Sequence, residues 1–372
     1  MEQRTLGKGK ANKKTEIVRY IFKHKNASKT ELTKALDISM PTVLQSTKEL
    51  LEQGILLEAG EYESTGGRRA KTLILNGDAA YAAGMDITAD HVSYVLINLN
   101  GEILSFEMKQ KAFAADLEYC RELFRELESF ILSRGLDPEK ILGVGVALPG
   151  IIDREEEVLI KSHALKLENF GLTLFDQLCS RTLHFENDTN AAMEAESTFV
   201  EGDAIYLFLS STVGGAFRTR GRIFHGNNRK AGELGHMILV PGGRECQCGT
   251  KGCVNAYCST QALEKASGLS LEETMARVAA QDPEVIPIWN EYLEYLAITI
   301  SNLRMMYDTD IILGGDMSAY LEPYMPDLGK RVMEFNRFDR DIRYLRTSKF
   351  KRGSAAAGAA LRFIHTYIDN IN

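Results

Sequence analysis

The sequence has no long apolar segment, and we do not expect its first residues to act as a secretory leader. No apolar run approaches the roughly 20 residues that span a membrane, and residues 1–18 contain no apolar core of a signal peptide. The sequence therefore predicts a cytoplasmic protein without membrane insertion. Its 372 residues suffice for more than one domain, and its composition is that of an ordinary globular protein.

Cysteine is also scarce, with six residues in the chain, yet Cys246, Cys248 and Cys253 fall within eight positions. Where thiols stay reduced, such a cluster is more often a set of metal ligands than of disulfides. His236 lies ten residues before the first of them and supplies a fourth ligand for a closed Cys3His site. The alternative is three free thiols, with His236 serving only as a ligand contact.

The other three cysteines receive other expectations. Cys120 and Cys179 are expected to pack helices, and Cys258 is left out of the metal site.

Charge is unevenly divided along the chain, whose formal net charge is −7. Residues 1–76 contain 14 Lys plus Arg and 9 Asp plus Glu, a balance of +5, whereas the remainder carries −12. A basic N-terminal segment followed by an acidic remainder suggests that only the N-terminal segment binds a polyanion.

Three helices are predicted in the first 76 residues. The apolar spacing over residues 17–22 indicates the first. Ser28 and Glu31 have the spacing of a capping box before the second. Ser39 is a suitable N-cap for the third helix, which Gly54 would end. Its buried face is expected to comprise Val43, Leu44, Thr47, Leu50 and Leu51.

This order predicts a helix-turn-helix followed by a wing, whose third helix enters the major groove. Two strands are expected around a Gly-rich tip that carries Arg68, Arg69 and Lys71, which would grip DNA phosphates. The alternative is a helical bundle with a hairpin that contacts only protein. The residues expected to face double-stranded DNA at the start of the third helix are Ser39, Pro41, Thr42, Gln45 and Ser46.

From residue 77 to residue 372 the pattern changes to strands and helices that recur in two halves. This favours an α/β body of two lobes with a ligand cleft between them. Gly143 and Gly145 invite a dinucleotide-binding interpretation, which we discard because the third glycine is absent at residue 148. Near the end, a strand before Gly314 is expected to turn into a helix.

The segments ALPGIID, ENDTNAA, GELGH and CQCGTKGC occur in an order and spacing that resemble the ROK family of repressors, open reading frames and sugar kinases. The resemblance covers essentially the whole chain and includes the winged helix-turn-helix of the repressor branch. It implies a body with the two-lobed actin-like, sugar-kinase (ribonuclease H-like) fold. It also implies structural zinc in the loop of residues 236–253.

By the same resemblance, sugar-binding residues are expected on both sides of the cleft. Individually, Asn187 and Asp188 could instead cap a helix and Glu233 could be a surface charge. The family commonly has Glu two residues after its last cysteine, whereas this chain has the neutral Asn255. The expected sugar-binding set is Gly150, Asn187, Asp188, Glu233, His236 and Asn255.

Three candidate functions are open at this point. The two turns that correspond to the phosphate-binding turns of ROK kinases have lost glycine in this chain. The first, residues 86–90, contains no glycine, and the second, residues 210–215, retains only part of the glycine content. We therefore expect a sugar-responsive repressor, bound as a homodimer or tetramer, whose effector is a small sugar or sugar phosphate, with ATP and Mg²⁺ unlikely ligands. The alternative is an ATP-dependent sugar kinase with Asp188 as its base. A third function is an adaptor sequestered on a sugar-transport protein.

Overall fold

The computed structural model of the chain describes residues 12–61 and 71–372. Within these residues, no helix is both long and apolar enough to cross a membrane.

The N-terminal unit contains three helices and a small antiparallel sheet in the strand order β1-β3-β2. Its elements are α1 (Lys13–His24), β1 (Asn26–Ser28), α2 (Lys29–Leu36), α3 (Met40–Glu52), β2 (Leu56–Glu61) and β3 (Lys71–Leu75).

The helix ends of this unit follow from local chemistry. Ser28 and Glu31 form the expected capping box of α2. The hydroxyl of Ser39 accepts a hydrogen bond from the backbone N–H of Thr42 at the start of α3. Gly54 follows the end of α3 in a left-handed conformation.

The expected orientation of α3 was wrong at two positions. Ser46, predicted to face DNA, is only 7% exposed, whereas Leu44, predicted to be buried, is 47% exposed. The buried face of α3 is formed instead by Val43 and Leu50, with Thr47 beside them. The hydroxyl of Thr47 donates to the carbonyl of Val43, which lets this polar side chain lie inside.

The first lobe of the body is a five-stranded sheet in the order β11-β7-β4-β5-β6. A smaller antiparallel sheet, β10-β9-β8, is inserted between β7 and β11. The elements are β4 (Tyr81–Ile87), β5 (His91–Asn98), β6 (Ile103–Gln110), α4 (Leu117–Leu132), β7 (Ile141–Leu148), β8 (Ile151–Asp153), β9 (Val158–Ser162), β10 (Leu167–Gly171), α5 (Thr173–Asp176), β11 (Leu183–Asn187) and α6 (Asp188–Glu196).

The second lobe repeats this topology with the order β14-β13-β12-β15-β16. In both lobes three antiparallel strands are followed by two parallel ones. The elements are β12 (Ala204–Leu209), β13 (Val213–Thr219), β14 (Arg222–Ile223), α7 (Asn255–Cys258), α8 (Thr260–Ser267), α9 (Leu271–Ala279), α10 (Ile286–Tyr307), β15 (Asp310–Gly314), α11 (Met325–Phe335), β16 (Leu345–Thr347) and α12 (Ser354–Asp369).

Two details of the body differ from expectation. The segment after Gly315 forms a short 3-10 turn, Asp316–Ala319, and not an α-helix. Cys179 lies after the end of α5 and not within a helix, although it packs against the core of the first lobe. Cys120 packs inside α4 as expected.

The helices α6 and α12 pack closely against each other. A Cβ atom at Gly358 of α12 would lie 1.6 Å from the carbonyl oxygen of Ala191 in α6, so only glycine permits this approach. On its other side, α12 joins α1 in one apolar core that also includes β5. Arg19 of α1 donates to Asp369 at 2.6 Å. The N-terminal unit is therefore packed directly onto the last helix of the body.

Candidate functional site

A cavity of about 410 Å³ lies between the two lobes. Its walls come from the β7–β8 turn, the start of α6, the β12–β13 turn and the loops after β14. The structure brings all six expected sugar-binding residues together in its lining, namely Gly150, Asn187, Asp188, Glu233, His236 and Asn255.

Asn187 ends β11 and links two parts of this wall. Its side-chain oxygen accepts from the backbone N–H of Asn190 at 2.9 Å, so it caps α6. Its amide nitrogen donates to the carbonyl oxygen of Gly150 at 3.0 Å. The helix-capping alternative is therefore observed, and the same contacts hold Asn187 in the cavity wall.

Asp188 is the first residue of α6 and carries a shifted pKa. One carboxylate oxygen accepts from the backbone N–H of Thr189 at 2.7 Å. Burial raises the pKa of Asp188 to about 6, against these hydrogen bonds. The pKa of Asp86 is also raised well above its usual range by burial and by the proximity of Asp188 and Asp316. The carboxyl groups of Asp86, Asp188 and Asp316 thus lie close enough together to favour retention of a proton.

Glu233 precedes a short 3-10 turn, Leu234–His236, and His236 is the last residue of this turn. The nearer carboxylate oxygen of Glu233 lies 3.9 Å from Nε2 of His236. Burial raises the pKa of Glu233. The ring of His163, from the loop after β9, packs edge-on to that of His236 with 5.6 Å between centroids. These groups offer both donors and acceptors to a polyol.

The cysteine cluster lies directly behind His236. The ligand atoms of His236, Cys246, Cys248 and Cys253 all lie within 4.8 Å of one another. The cluster depends on a tight turn, because a Cβ atom at Gly252 would lie 1.8 Å from the carbonyl oxygen of Val240. The residues predicted from their spacing therefore form one group that can hold a metal ion.

The distances within this cluster fit a tetrahedral ion. With Zn–S bonds of about 2.3 Å, two sulfurs of a tetrahedron lie about 3.8 Å apart. The Sγ atoms of Cys248 and Cys253 are 3.8 Å apart, and Sγ of Cys246 lies 3.9 Å from Nδ1 of His236. Burial and neighbouring thiols raise the pKa of Cys253 to about 12, so a bound cation would be needed to favour its thiolate. Cys258 is separate from this group and lies 3.8 Å from the hydroxyl of Thr299.

The N-terminal residues expected to contact DNA are distributed unequally. Ser39, Pro41 and Gln45 are exposed on α3 and Thr42 is half-buried, whereas Ser46 is buried. Lys71 is exposed at the start of β3, where its ammonium pairs with Glu58. Arg68 and Arg69 lie outside the described residues.

Sequence reasoning missed several basic residues of the cavity. Arg154 lies in the turn between β8 and β9, and His225 and Arg229 lie in the loop after β14. These residues belong to no motif with regular spacing, so no feature of the sequence singled them out. They meet only because the inserted sheet of the first lobe faces a loop of the second.

Comparison with known proteins identifies the architecture. The family model "ROK family" matches residues 82–365. The chain belongs to the ROK family. Several curated relatives within it are regulators. A xylose repressor of Caldicellulosiruptor bescii is 30% identical over 66% of this chain and 63% of its own length. The xylose repressor of Bacillus subtilis is 23% identical over 82% of this chain and 81% of its own.

The regulator NagC of Escherichia coli is 24% identical over 67% of this chain and 63% of its own length. The matched part of the chain thus spans less than two thirds of the length of NagC and of the C. bescii protein.

Solved ROK structures confirm the fold of the body. A ROK family transcriptional regulator, described as a homologue of the E. coli MLC protein, superposes with a TM-score of 0.72 at 21% identity over 96% of both chains. A ROK hexokinase from Thermus thermophilus superposes with a TM-score of 0.61 at 24% identity, over 76% of this chain and 97% of its own. The expected actin-like, sugar-kinase type of body is therefore present.

The turns that correspond to kinase phosphate-binding loops in the ROK resemblance have their own contacts here. The hydroxyl of Thr88 donates to Asp90 at 3.0 Å and thereby places a carboxylate in the first turn. In the second, the hydroxyl of Ser210 contacts the carboxylate of Asp316. A carboxylate at either turn repels a phosphate group.

Proposed function

We propose that this ROK protein is a sugar-responsive, DNA-binding transcriptional repressor of carbohydrate uptake or metabolism genes. One observation carries the proposal. A single apolar core joins a three-helix N-terminal unit to a body whose interlobe cavity collects polar groups suited to sugar hydroxyls. The xylose repressors and NagC among its relatives support the same function.

The N-terminal unit acts as a winged helix-turn-helix, with the domain boundary near residue 76. Its element order, with a strand pair after the third helix, supports this assignment. In this proposal α3 enters the major groove through Ser39, Thr42 and Gln45. The exposed Leu44 adds an apolar contact of the kind that thymine methyl groups accept.

The sugar binds at the centre of the cavity. Carboxylates and amides that each accept and donate to neighbouring hydroxyls are the usual partners of polyols. Asp188 and Glu233 are placed for this role, and the carbonyl of Gly150 already accepts from Asn187.

The cysteine cluster binds structural zinc. All four ligands come from the protein, so no position remains for a catalytic water. The ion would have a structural role, because it would hold the three thiolates and the imidazole of His236 in one arrangement. His236 would then be fixed through the ion and present its ring to the cavity.

The signal reaches the DNA-binding unit through two packed helices. Asp188 begins α6, which packs against α12 through Ala191 and Gly358. The chain end after α12 contacts α1, where the hydroxyl of Thr15 donates to the carbonyl of Ile371 at 3.3 Å. A sugar that changes the angle between the lobes would shift α6 and, through α12, would change the orientation of the N-terminal unit. Its effect is limited by its differential affinity for the two arrangements.

The working form is a homodimer or a tetramer made of two such dimers. Two α3 helices in a dimer would contact half-sites about one DNA turn apart on a near-palindromic operator. A sugar-transport protein is a further partner by which the repressor could be sequestered.

A gel-shift titration tests the function. The purified chain would be titrated onto the DNA upstream of its own gene with excess nonspecific competitor and a panel of aldoses, ketoses and N-acetylated amino sugars. The proposal expects a specific shift that one sugar alters. Absence of any specific shift would contradict it.

A second candidate function is a sugar kinase, which one observation favours. The pKa of Asp188 is raised to about 6, a suitable value for a general base near neutral pH, and ROK kinases share the fold. Sugar-dependent ADP release that Asp188→Asn abolishes would establish this activity. No ADP release with any sugar of the panel would exclude it for those sugars.

A further inference from the structure

A second cavity, of about 550 Å³, lies where the N-terminal unit meets the body. Phe22 of α1, Ala195 of α6 and Leu361 of α12 line it, together with the β5–β6 turn and the segment before α12. We call this space the junction cavity. Because it touches all three helices of the proposed signal path, a molecule bound in it would contact the N-terminal unit and the body at once.

The inner wall of the junction cavity is apolar. Phe22, Ala195 and Leu361 are buried side chains of this wall. Phe199, which follows α6, and Phe350, which precedes α12, add two aromatic rings packed edge to face with 6.1 Å between centroids. Phe199 is still 46% exposed, so much of its ring is available to a ligand. The wall therefore suits a ligand with an apolar body.

The outer side of the junction cavity carries an excess of positive charge. Four exposed cationic residues line it, namely Lys25, Lys349, Lys351 and Arg352. Among the described residues that line this cavity, Glu102 is the one carboxylate.

Two of the four cations are already held by the protein. The ammonium of Lys25 donates to the carbonyl of Asn100 at 3.0 Å, and the nearby charge of Glu102 offsets part of its own. The ammonium of Lys351 lies 3.9 Å from the carboxylate of Glu322. These two cations therefore shape the cavity but offer little unmatched charge.

The other two cations, Lys349 and Arg352, are available to an anion. In the part of the chain that the structure describes, neither side chain has a hydrogen bond or an ion pair. The backbone of Lys349 is nevertheless fixed, because its N–H donates to the buried carboxylate of Glu196 at the end of α6. Arg352 directly precedes Gly353, the N-cap of α12, where the positive end of the helix dipole adds to the charge.

We propose that the junction cavity binds a small amphipathic carboxylate. Its apolar body would lie against Phe22 and Phe199, and its carboxylate would lie between Lys349 and Arg352. An apolar lining with a few charged groups is typical of small-molecule sites, and carboxylates form charge-assisted hydrogen bonds with guanidinium and ammonium groups. The apolar wall favours such a ligand over a DNA phosphate, which has no apolar part to bury against it.

The bound acid would act as a second effector. The junction cavity shares no lining residue with the interlobe cavity, so the acid and the sugar would bind at separate sites. Phe22 and Lys25 belong to the N-terminal unit, whereas Phe199 and Arg352 belong to the body. A ligand that contacts both parts would favour one orientation of the N-terminal unit, to the extent of its differential affinity for the two arrangements. This regulatory effect rests on the proposed function, whereas binding of the acid does not.

Calorimetric titration of the full chain tests the binding. The acids are hexanoate and 3-phenylpropionate, and the reference probes are 1-hexanol, 3-phenyl-1-propanol and acetate. We expect at least one acid to bind about tenfold or more tightly than its alcohol and than acetate, as one or two charge-assisted hydrogen bonds allow. The acid that binds more tightly distinguishes an aromatic ligand body from an aliphatic one.

Variants locate the acid. Lys349→Gln with Arg352→Gln should reduce the affinity for the acid about tenfold and leave that for the alcohol within about twofold. Lys330→Gln with Arg337→Gln is the matched control, because these two residues are exposed and line neither cavity. The control should retain the affinity for the acid. Phe199→Ala removes part of the apolar wall and should weaken the acid and the alcohol by a similar, several-fold factor.

Fluorescence anisotropy with labelled upstream DNA tests the regulatory effect. A saturating concentration of the acid should change the DNA affinity of the wild type several-fold and leave that of Lys349→Gln with Arg352→Gln unchanged. If this variant binds DNA more weakly than the matched control without any acid, the two cations contact DNA phosphates and the inference is overturned.

Three further outcomes overturn the inference. They are acids that bind no more tightly than their alcohols, acid binding that the double variant retains in full, and an acid that binds in the junction cavity without changing DNA affinity. Failure of the proposed function is seen separately, as absence of specific DNA binding in the gel shift. The calorimetric result stands in that case, because it requires no DNA.

Discussion

The side-chain oxygen of Asn255 accepts a hydrogen bond of 2.7 Å from the backbone N–H of Val213. The side-chain nitrogen of Asn255 lies 3.9 Å from Sγ of Cys246. One buried amide therefore connects the cysteine cluster to the β12–β13 turn, and Asn255, His236 and this turn line the cavity.

Asn255→Ala should destabilise the protein by about 1–3 kcal/mol, because it leaves the buried N–H of Val213 without an acceptor. Asn255→Asp keeps an acceptor at this position and should cost less. Urea unfolding of both variants measures the difference in the free energy of unfolding. Equal stability of Asn255→Ala and the wild type would show that the contact is not needed.

Metal analysis of the purified chain should find one zinc ion per chain after dialysis. Cys248→Ser should lower this content and the melting temperature, because a ligand of the closed site is lost. Cys179→Ser is the control, since Cys179 lies outside the cluster, and it should retain the metal. Equal metal content in the two variants, or none in the wild type, would contradict the zinc assignment.

Asp188→Asn should stabilise the protein above pH 6. The folded chain holds the proton of Asp188 up to about pH 6, whereas the unfolded chain releases it near the ordinary value of about 4. The wild type therefore loses stability as the pH rises from about 4 to about 6, by up to about 3 kcal/mol. The variant lacks this loss and should be more stable by up to about 3 kcal/mol near pH 8.

Urea unfolding of both proteins near pH 4 and near pH 8 tests this prediction. The wild type and the variant must be compared at the same pH, because His184 also makes stability depend on pH. Burial lowers the pKa of His184 to about 4, which changes stability with pH in the opposite direction and equally in both proteins. The difference between variant and wild type should be small near pH 4 and reach its full value above pH 6. A variant that is less stable at both pH values would refute the prediction.

Gln45→Ala should weaken specific DNA binding by about tenfold, since a contact to a base edge contributes roughly 1–3 kcal/mol. Ser46→Ala should leave DNA affinity within about twofold, because Ser46 is buried in α3. Fluorescence anisotropy with labelled DNA measures both, and circular dichroism checks their folding. A larger loss for Ser46→Ala than for Gln45→Ala would indicate that another face of α3 meets the DNA.

The N-terminal unit shows what local sequence patterns can and cannot predict. Caps at Ser28 and Ser39 depend on neighbouring residues, so the helix starts were predictable. The rotation of α3 was not, because tertiary packing decides whether Leu44 or Ser46 lies inside. A hydroxyl can be buried at little cost and a single leucine can remain exposed, so hydrophobicity alone did not distinguish them.

The residues of the cavity also divide into those that the sequence predicted and those that it did not. Asn187, Asp188 and Glu233 belong to motifs, and their meeting in one cavity was predictable from the family resemblance. Arg154 and Arg229 come from irregular loops of different lobes, and their meeting depends on the tertiary fold. The burial of Glu196 was equally unpredictable from the sequence. This residue is fully buried at the end of α6 and accepts a hydrogen bond from Ser348 at 2.7 Å.

The most direct test of the account is the affinity of the chain for its upstream DNA with and without the sugar that binds most tightly. Fluorescence anisotropy would be recorded for the wild type and for Asp188→Asn. The account predicts that the sugar changes the wild-type DNA affinity several-fold, and that the variant binds the same DNA but no longer responds. A sugar that binds the wild type without changing its DNA affinity, or a variant that responds fully, would contradict the proposal that this cavity controls the DNA-binding unit.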